Sequence, residues 1–237
     1  RGRNIYLHRP VIKLVVDAKD LGTTPTHELA GFNDLLIKYF PGLKKHYCSL
    51  GYEGGFVSRL REGTFLCHVT EHLVLELQCL AGDDVYYGKT RLIEEPSLYA
   101  IIYEYFNEQV GLACGKAAIR IVTGFARGDD VPVRAIVDGI KKLAVKTSLG
   151  PSSQAIFDAA KRRGIPVKRL GTDSLLQLSY GKYKRLIEAS LPDGTSCVAI
   201  DVAQNKDLTK QILEDYGVPV PDGGLAYSED EAVALAE

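Results

Sequence analysis
The stretch Leu66-Cys-His-Val-Thr-Glu-His-Leu-Val-Leu-Glu-Leu-Gln-Cys-Leu80 constrains this chain more than any other. Its spacing predicts a helix from about residue 63 to 80, with Gly82 as a natural stop. At about 100° per residue with His68 at zero, His72 falls near +40°, Glu71 near −60° and Glu76 near +80°. These four polar side chains share one arc. The opposite arc carries Leu66, Val69, Leu73, Leu77 and Leu80, which can pack into a core.

Two histidines one helical turn apart can ligate a single Zn2+ through imidazole nitrogens. Glu71 between them is then near enough to take a proton from a metal-activated water. This is the H-x-x-E-H pattern of a metal-dependent hydrolase, with His68 and His72 as metal ligands and Glu71 as the catalytic base. A third ligand is expected to be a carboxylate from another element. Glu104 and Glu108, one turn apart on a helix predicted over 97–123, are the leading candidates; Glu76, His46 and Asp84 also remain open.

The 237 residues are 46% hydrophobic and 25% charged, a globular balance with length for one large or two ordinary domains. The formal net charge of −1 lacks the bulk positive charge of a nucleic-acid binder. No run approaches the length needed to span a bilayer, and Arg1-Gly-Arg-Asn4 lacks a signal-peptide core, so a soluble cytoplasmic protein is expected. The cysteines at 48, 67, 79, 114 and 197 are odd in number and form no C-x-x-C pair; buried, reduced thiols are expected. There is no methionine, and the sequence stops within a helical pattern, as expected for a piece of a longer protein.

Other elements follow from local signals. A buried strand is predicted over 11–16, a helix over 31–39, and a strand around Val85-Tyr-Tyr87. The segment His46–Gly55 reads as a loop whose glycines need special backbone angles or approach a ligand. Pro96 is expected to open the helix through Thr123, and Pro132 another through Lys146. These make an α+β N-terminal domain over residues 1–147. Residues 148–237 read as an incomplete α/β unit: a helix over 153–163, strands over 165–170, 175–178 and 182–189, and helices over 195–203, 207–216 and from Ser228.

At its start, Gly150-Pro-Ser-Ser153 offers a serine N-cap and free backbone N–H groups that can receive an anion, making Ser152 and Ser153 candidate substrate contacts. The basic residues of Lys161-Arg-Arg163 and Lys168-Arg169 have no aromatic among them and read as a solvated surface.

The run Gly54-Gly-Phe-Val-Ser-Arg-Leu-Arg-Glu-Gly-Thr-Phe-Leu-Cys-His-Val-Thr-Glu-His72 closely resembles the N-terminal domain of the cyanophycin synthetase family. So do Leu75-Glu-Leu-Gln78, Tyr87-Gly-Lys-Thr-Arg91, Gly150-Pro-Ser-Ser153, Leu176-Gln-Leu-Ser-Tyr-Gly-Lys182 and Lys206-Asp-Leu-Thr-Lys210. The resemblance implies a large cytoplasmic, homo-oligomeric ligase that builds an arginine-decorated poly-aspartate polymer from aspartate and arginine; the balanced charge and the lack of a spanning run predict no nucleic-acid or membrane partner. The resemblance also implies an ATP-grasp domain using ATP and Mg2+, whose opening would be residues 148–237, and a Mur-ligase-like domain. The N-terminal domain of the family holds the polymer. In some members it trims polymer into primers at a metal site whose motif His68, Glu71 and His72 match, which implies Zn2+ as the cofactor of this domain. The Gly150–Ser153 loop matches a place that binds the polymer end. A non-catalytic polymer-binding or assembly scaffold is the remaining alternative. One departure is Ser179, where the family usually has glycine.

Overall fold
The computed structural model describes residues 4–236, which form two compact units, divided between Ser148 and Leu149. Among the described residues there are nine α-helices and seven strands in two antiparallel sheets. No helix among them is long and apolar enough to cross a membrane.

The first unit begins with β1 (Val11–Asp17), followed by α1 (Phe32–Tyr39), a short helical turn at Pro41–Lys45, α2 (Gly55–Glu62) and α3 (Leu66–Leu80). Then come the hairpin strands β2 (Gly88–Glu94) and β3 (Leu98–Glu104), and helices α4 (Glu108–Arg127) and α5 (Val133–Thr147). Sheet order is β1-β3-β2, with Val11 opposite Glu104 and Asp17 opposite Leu98. Along β1, Ile12, Leu14 and Val16 face the core while Lys13, Val15 and Asp17 are exposed. That alternation is what a sheet covered on one face requires.

Helix α3 is the centre of this unit. From Leu66 to Gln78 every residue except His68 is buried, against the sheet on one side and α4 and the 41–45 turn elsewhere. The polar arc predicted from its sequence is therefore no solvated face, and its members must find partners inside. Thr70 returns a hydrogen bond to the carbonyl of Leu66, and Gln78 donates to the carbonyl of Glu104. Glu71, His72 and Glu76 are satisfied within the site described below.

Two expectations are corrected here. Residues 97–123 are not one helix: Glu104 ends strand β3 and Glu108 opens α4, so they do not stand one turn apart on a helix. The run Tyr99-Ala-Ile-Ile-Tyr103 is buried on both faces, which erases the alternation that identifies a strand; its β-branched and aromatic content was the surviving signal. Val85 is buried but precedes the strand, which starts at Gly88. In addition, α2 forms where only glycine-rich sequence and its sequel were legible: Gly51 and Gly54 take positive φ, and Gly54 sits at the N-cap of α2.

The second unit opens with α6 (Pro151–Arg162), followed by β4 (Val167–Arg169), β5 (Leu175–Leu178), β6 (Arg185–Glu188) and β7 (Leu191–Pro192) in a four-stranded sheet of that order. Helices α7 (Cys197–Gln204), α8 (Lys206–Asp215) and α9 (Glu229–Ala236) complete it. Phe157 of α6 packs with Leu149 and Leu176 as its small core. Every strand pairing is antiparallel, so the unit mixes helices with an antiparallel sheet. Helix α6 starts earlier than expected, with Gly150 as N-cap and Pro151 in its first turn, and no serine side chain caps it.

Ser179 lies in the left-handed region at φ 58, next to Tyr180-Gly181. An L-residue there is disfavoured by roughly 1–2 kcal/mol, partly offset by glycine's greater unfolded-state freedom. Ser179→Gly is therefore expected to stabilise the second unit by about 0.5–1 kcal/mol in urea denaturation, whereas Ser179→Val should destabilise it.

Candidate metal centre
His68 and His72 come from successive turns of α3, and the loop between the 41–45 turn and α2 brings His46 and Cys48 over them. Cys48, His68 and His72 each offer one donor atom, and these atoms lie within 4.8 Å of one another. Cys48 Sγ is 3.4 Å from His68 Nε2. Two ligands at zinc distances of about 2.3 Å for sulfur and 2.05 Å for nitrogen, spread at a tetrahedral angle, stand about 3.6 Å apart. The Cys48–His68 spacing matches shared coordination, and the His72 donor lies within 4.8 Å of both. One thiolate and two imidazoles suit Zn2+ and leave a fourth position of the kind catalytic sites keep open.

The imidazoles are built into the core from behind. Thr64 Oγ1 lies 2.9 Å from His68 Nδ1, and His46 Nδ1 lies 3.1 Å from His72 Nδ1. His46 Nε2 is in turn 3.1 Å from Glu76 Oε2. Phe56 of α2, fully buried, stacks on the His72 ring at a centroid distance of 4.0 Å and meets His68 edge-on at 5.9 Å. Burial, aided by the neighbouring Arg59 charge, lowers the His68 pKa to about 4; burial, with His68 and His46 nearby, lowers that of His72 to about 2. Both rings are neutral at physiological pH, the form that ligates metal.

Glu71 is buried, and Thr90 Oγ1 of β2 donates to its Oε2 at 2.7 Å. Burial raises its pKa to about 7, against the lowering effect of the Thr90 hydrogen bonds. Gly88 leaves the space it occupies: a Cβ there would stand 2.6 Å from Glu71 Cγ. Thr90 and His68 both border an open cleft of about 230 Å³, with Arg59, Tyr99 and Leu92 also in its wall. Thr90 thus links the Glu71 carboxyl to a cleft that His68 also borders.

The carboxylates proposed as third ligand lie elsewhere. Glu104 accepts from Arg9 Nη1 at 2.9 Å, Glu108 is half-buried in the first turn of α4, and Asp84 accepts from the Tyr86 hydroxyl. Glu76 and His46 are linked to each other and to His72. The structure brings in Cys48 instead, a residue whose sequence context predicts only a buried, reduced thiol. Its legible signal was a soft ligand in a loop rich in glycine, two residues after a histidine. The thiols also divide: Cys67 and Cys114 are buried, their pKa pushed by burial to about 12, while Cys48 is half-buried and Cys79 and Cys197 are exposed. Ser153 is buried in α6 and Ser152 is exposed.

This division is measurable. In native protein Cys67 and Cys114 are expected to resist a thiol reagent at pH 8. Added zinc should slow modification of Cys48 at least tenfold without protecting Cys197, read by mass spectrometry of labelled peptides; equal labelling of Cys48 with and without zinc would remove it from the ligand set.

Residues 13–127 match the family model described as the cyanophycin synthase-like N-terminal domain. The chain is 37% identical over 228 residues to a cyanophycin synthetase of Crocosphaera subtropica, covering 94% of this chain and 26% of that protein. It is 39% identical over 236 residues to one from Trichormus variabilis, at 98% and 26% coverage, and 36% identical over 241 residues to one from Synechocystis sp., at 99% and 28%. The chain spans about a quarter of the length of these curated relatives. The domain model lies within the first unit, and the similarity to these cyanophycin synthetases runs through both units.

Proposed function
We propose that this chain is the N-terminal part of an ATP-dependent ligase that elongates an arginine-decorated poly-aspartate polymer, and that its first unit is a zinc-dependent hydrolase trimming that polymer into primers. The ligase part rests on the similarity to cyanophycin synthetases, and the ATP and Mg2+ it requires would belong to the whole protein. The hydrolase part is carried by one observation: Cys48 completes a three-donor set with the two histidines of the H-x-x-E-H helix, beside a cleft that His68 borders.

Bound zinc supplies a Lewis acid that polarises the scissile carbonyl and acidifies water. Cys48, His68 and His72 would hold it, with Phe56 excluding water from behind the two rings. Glu71, fixed by Thr90, takes the proton from the attacking water and delivers it to the departing amine nitrogen. Arg59 in the wall of the cleft can receive a carboxylate of the polymer. In the second unit, exposed Ser152 at the start of α6 is the proposed contact for the polymer end.

The test is cleavage of purified Asp-Arg polymer by this chain with zinc, after chelation, and after zinc is restored. Zinc-dependent release of short chains is the expected result. Zinc binding without cleavage would favour the polymer-binding scaffold, and failure to bind zinc would end the hydrolase reading. The ligase reading is tested separately, by arginine-dependent ADP release from the full-length protein.

A further inference from the structure
Glu76 and His46 were candidates for ligands, but their positions give them a different task. We infer that Glu76 and His46 form a hydrogen-bonded chain that fixes the proton of His72 on Nδ1 and so presents its Nε2 lone pair to the metal. The inference rests on the metal site proposed above, and it concerns positioning residues.

The direction of the chain follows from donor and acceptor chemistry. A carboxylate only accepts, so across the 3.1 Å contact His46 Nε2–H donates to Glu76 Oε2. In a neutral imidazole the other nitrogen is then an acceptor. With His46 neutral its Nδ1 accepts, and across the next 3.1 Å contact His72 Nδ1–H donates to it; a doubly protonated His46 would reverse this contact, so the inference concerns the neutral ring. The His72 proton is accounted for, leaving Nε2 bare. His72 is about one-twentieth exposed and Phe56 covers its ring face, so the His46 contact fixes which nitrogen is protonated. His68 is held in the same sense by a simpler device, with Thr64 Oγ1 at its Nδ1 and Cys48 Sγ at its Nε2.

The far end of the chain is itself built in. Glu76 is buried on α3, and its carboxylate lies against the backbone of Gly42 in the 41–45 turn, where a methyl group would overlap it. Gly42 carries no positive φ, so conformational freedom does not explain a glycine there; room for the carboxylate does. The turn that carries Gly42 also leads directly into His46, so one short segment seats the acceptor and supplies the imidazole that uses it.

The prediction is read first on metal-free protein, by long-range 1H–15N correlation of the histidine rings. His72 is expected as the single Nδ1-protonated tautomer in wild type, and as a mixture in His46→Phe and Glu76→Leu. Zinc affinity, measured by chelator competition, should fall about 10–100-fold in both variants. Glu76→Gln retains an oxygen acceptor for His46 Nε2–H and should stay within a few-fold of wild type. Gly42→Ala, which removes no polar group, should move tautomer and affinity in the direction of Glu76→Leu.

A His72 proton on Nε2 in wild type would overturn the inference, as would unchanged zinc affinity in a folded His46→Phe protein. X-ray absorption showing three nitrogen donors in wild type and two in His46→Phe would also overturn it, by making His46 a ligand. If Glu76→Leu fails to fold, the Glu76→Gln and Gly42→Ala pair still decides. The tautomer needs neither metal nor turnover, so an inert or zinc-free protein would sink the hydrolase reading and leave this result standing.

Discussion
Replacing Glu71 with glutamine is expected to lower polymer cleavage by about 10²–10⁴-fold while leaving bound zinc at the wild-type level. The magnitude is that of losing a positioned general base. Zinc should persist because the three donor atoms come from Cys48, His68 and His72. The fold should persist too: the amide has the shape of the carboxyl, Thr90 Oγ1 can donate to its oxygen as it does to Glu71 Oε2, and Gly88 still leaves the space. A stability change within about 1 kcal/mol is therefore expected, as for a buried hydrogen bond preserved in kind. Glu71→Asp keeps the acid but draws it one methylene back from Thr90, so it should fall between wild type and the glutamine variant. Undiminished cleavage by zinc-loaded Glu71→Gln would remove Glu71 from the chemistry. Parallel zinc loss would instead show it supporting the metal.

How much of this centre was legible in the sequence depended on whether its geometry was local. His68, Glu71 and His72 lie within five residues of one helix, so the helical period alone set them on one face. Cys48 and Thr90 arrive from a loop and a strand, and their approach depends on a sheet whose central strand was read as helix. That error had one cause: β3 is buried on both faces, so Tyr99–Tyr103 carries no alternation. It also moved Glu104 and Glu108 onto a helix they do not share, making them false candidates for the third ligand. In the second unit the short elements were legible because turns punctuate them closely. Their antiparallel pairing was not, since strand direction is fixed by tertiary contacts.

The polar arc of α3 makes the same point energetically. From sequence alone Glu71, His72 and Glu76 could have faced water at no cost. In the structure they are buried, and burial of such groups is tolerable only with partners. Thr90 serves Glu71, and His46 serves both His72 and Glu76. These polar contacts therefore do two things at once: they let the central helix sit inside the core, and they orient the groups proposed to do chemistry there.

Phe56→Ala tests that coupling and is expected to destabilise the first unit by about 3–5 kcal/mol, the range for truncating a fully buried phenylalanine. For a domain of this size that corresponds to a fall in Tm on the order of 10 °C. Phe56 stacks on His72 and meets His68 edge-on, so the cavity opens directly behind both rings. Water entering there would compete for the ring nitrogens and loosen their aim, and zinc affinity should fall along with stability. Phe56→Leu separates the two effects: it refills most of the volume and should recover much of the stability, but it removes the flat face that holds the His72 ring and should leave zinc binding weakened. Urea denaturation with and without zinc reads both. Zinc at about 100 times its dissociation constant adds about 2.7 kcal/mol to the stability of any variant that still binds it. A Phe56→Ala protein that loses less than about 1 kcal/mol would show that the packing behind the histidines does not hold the centre together.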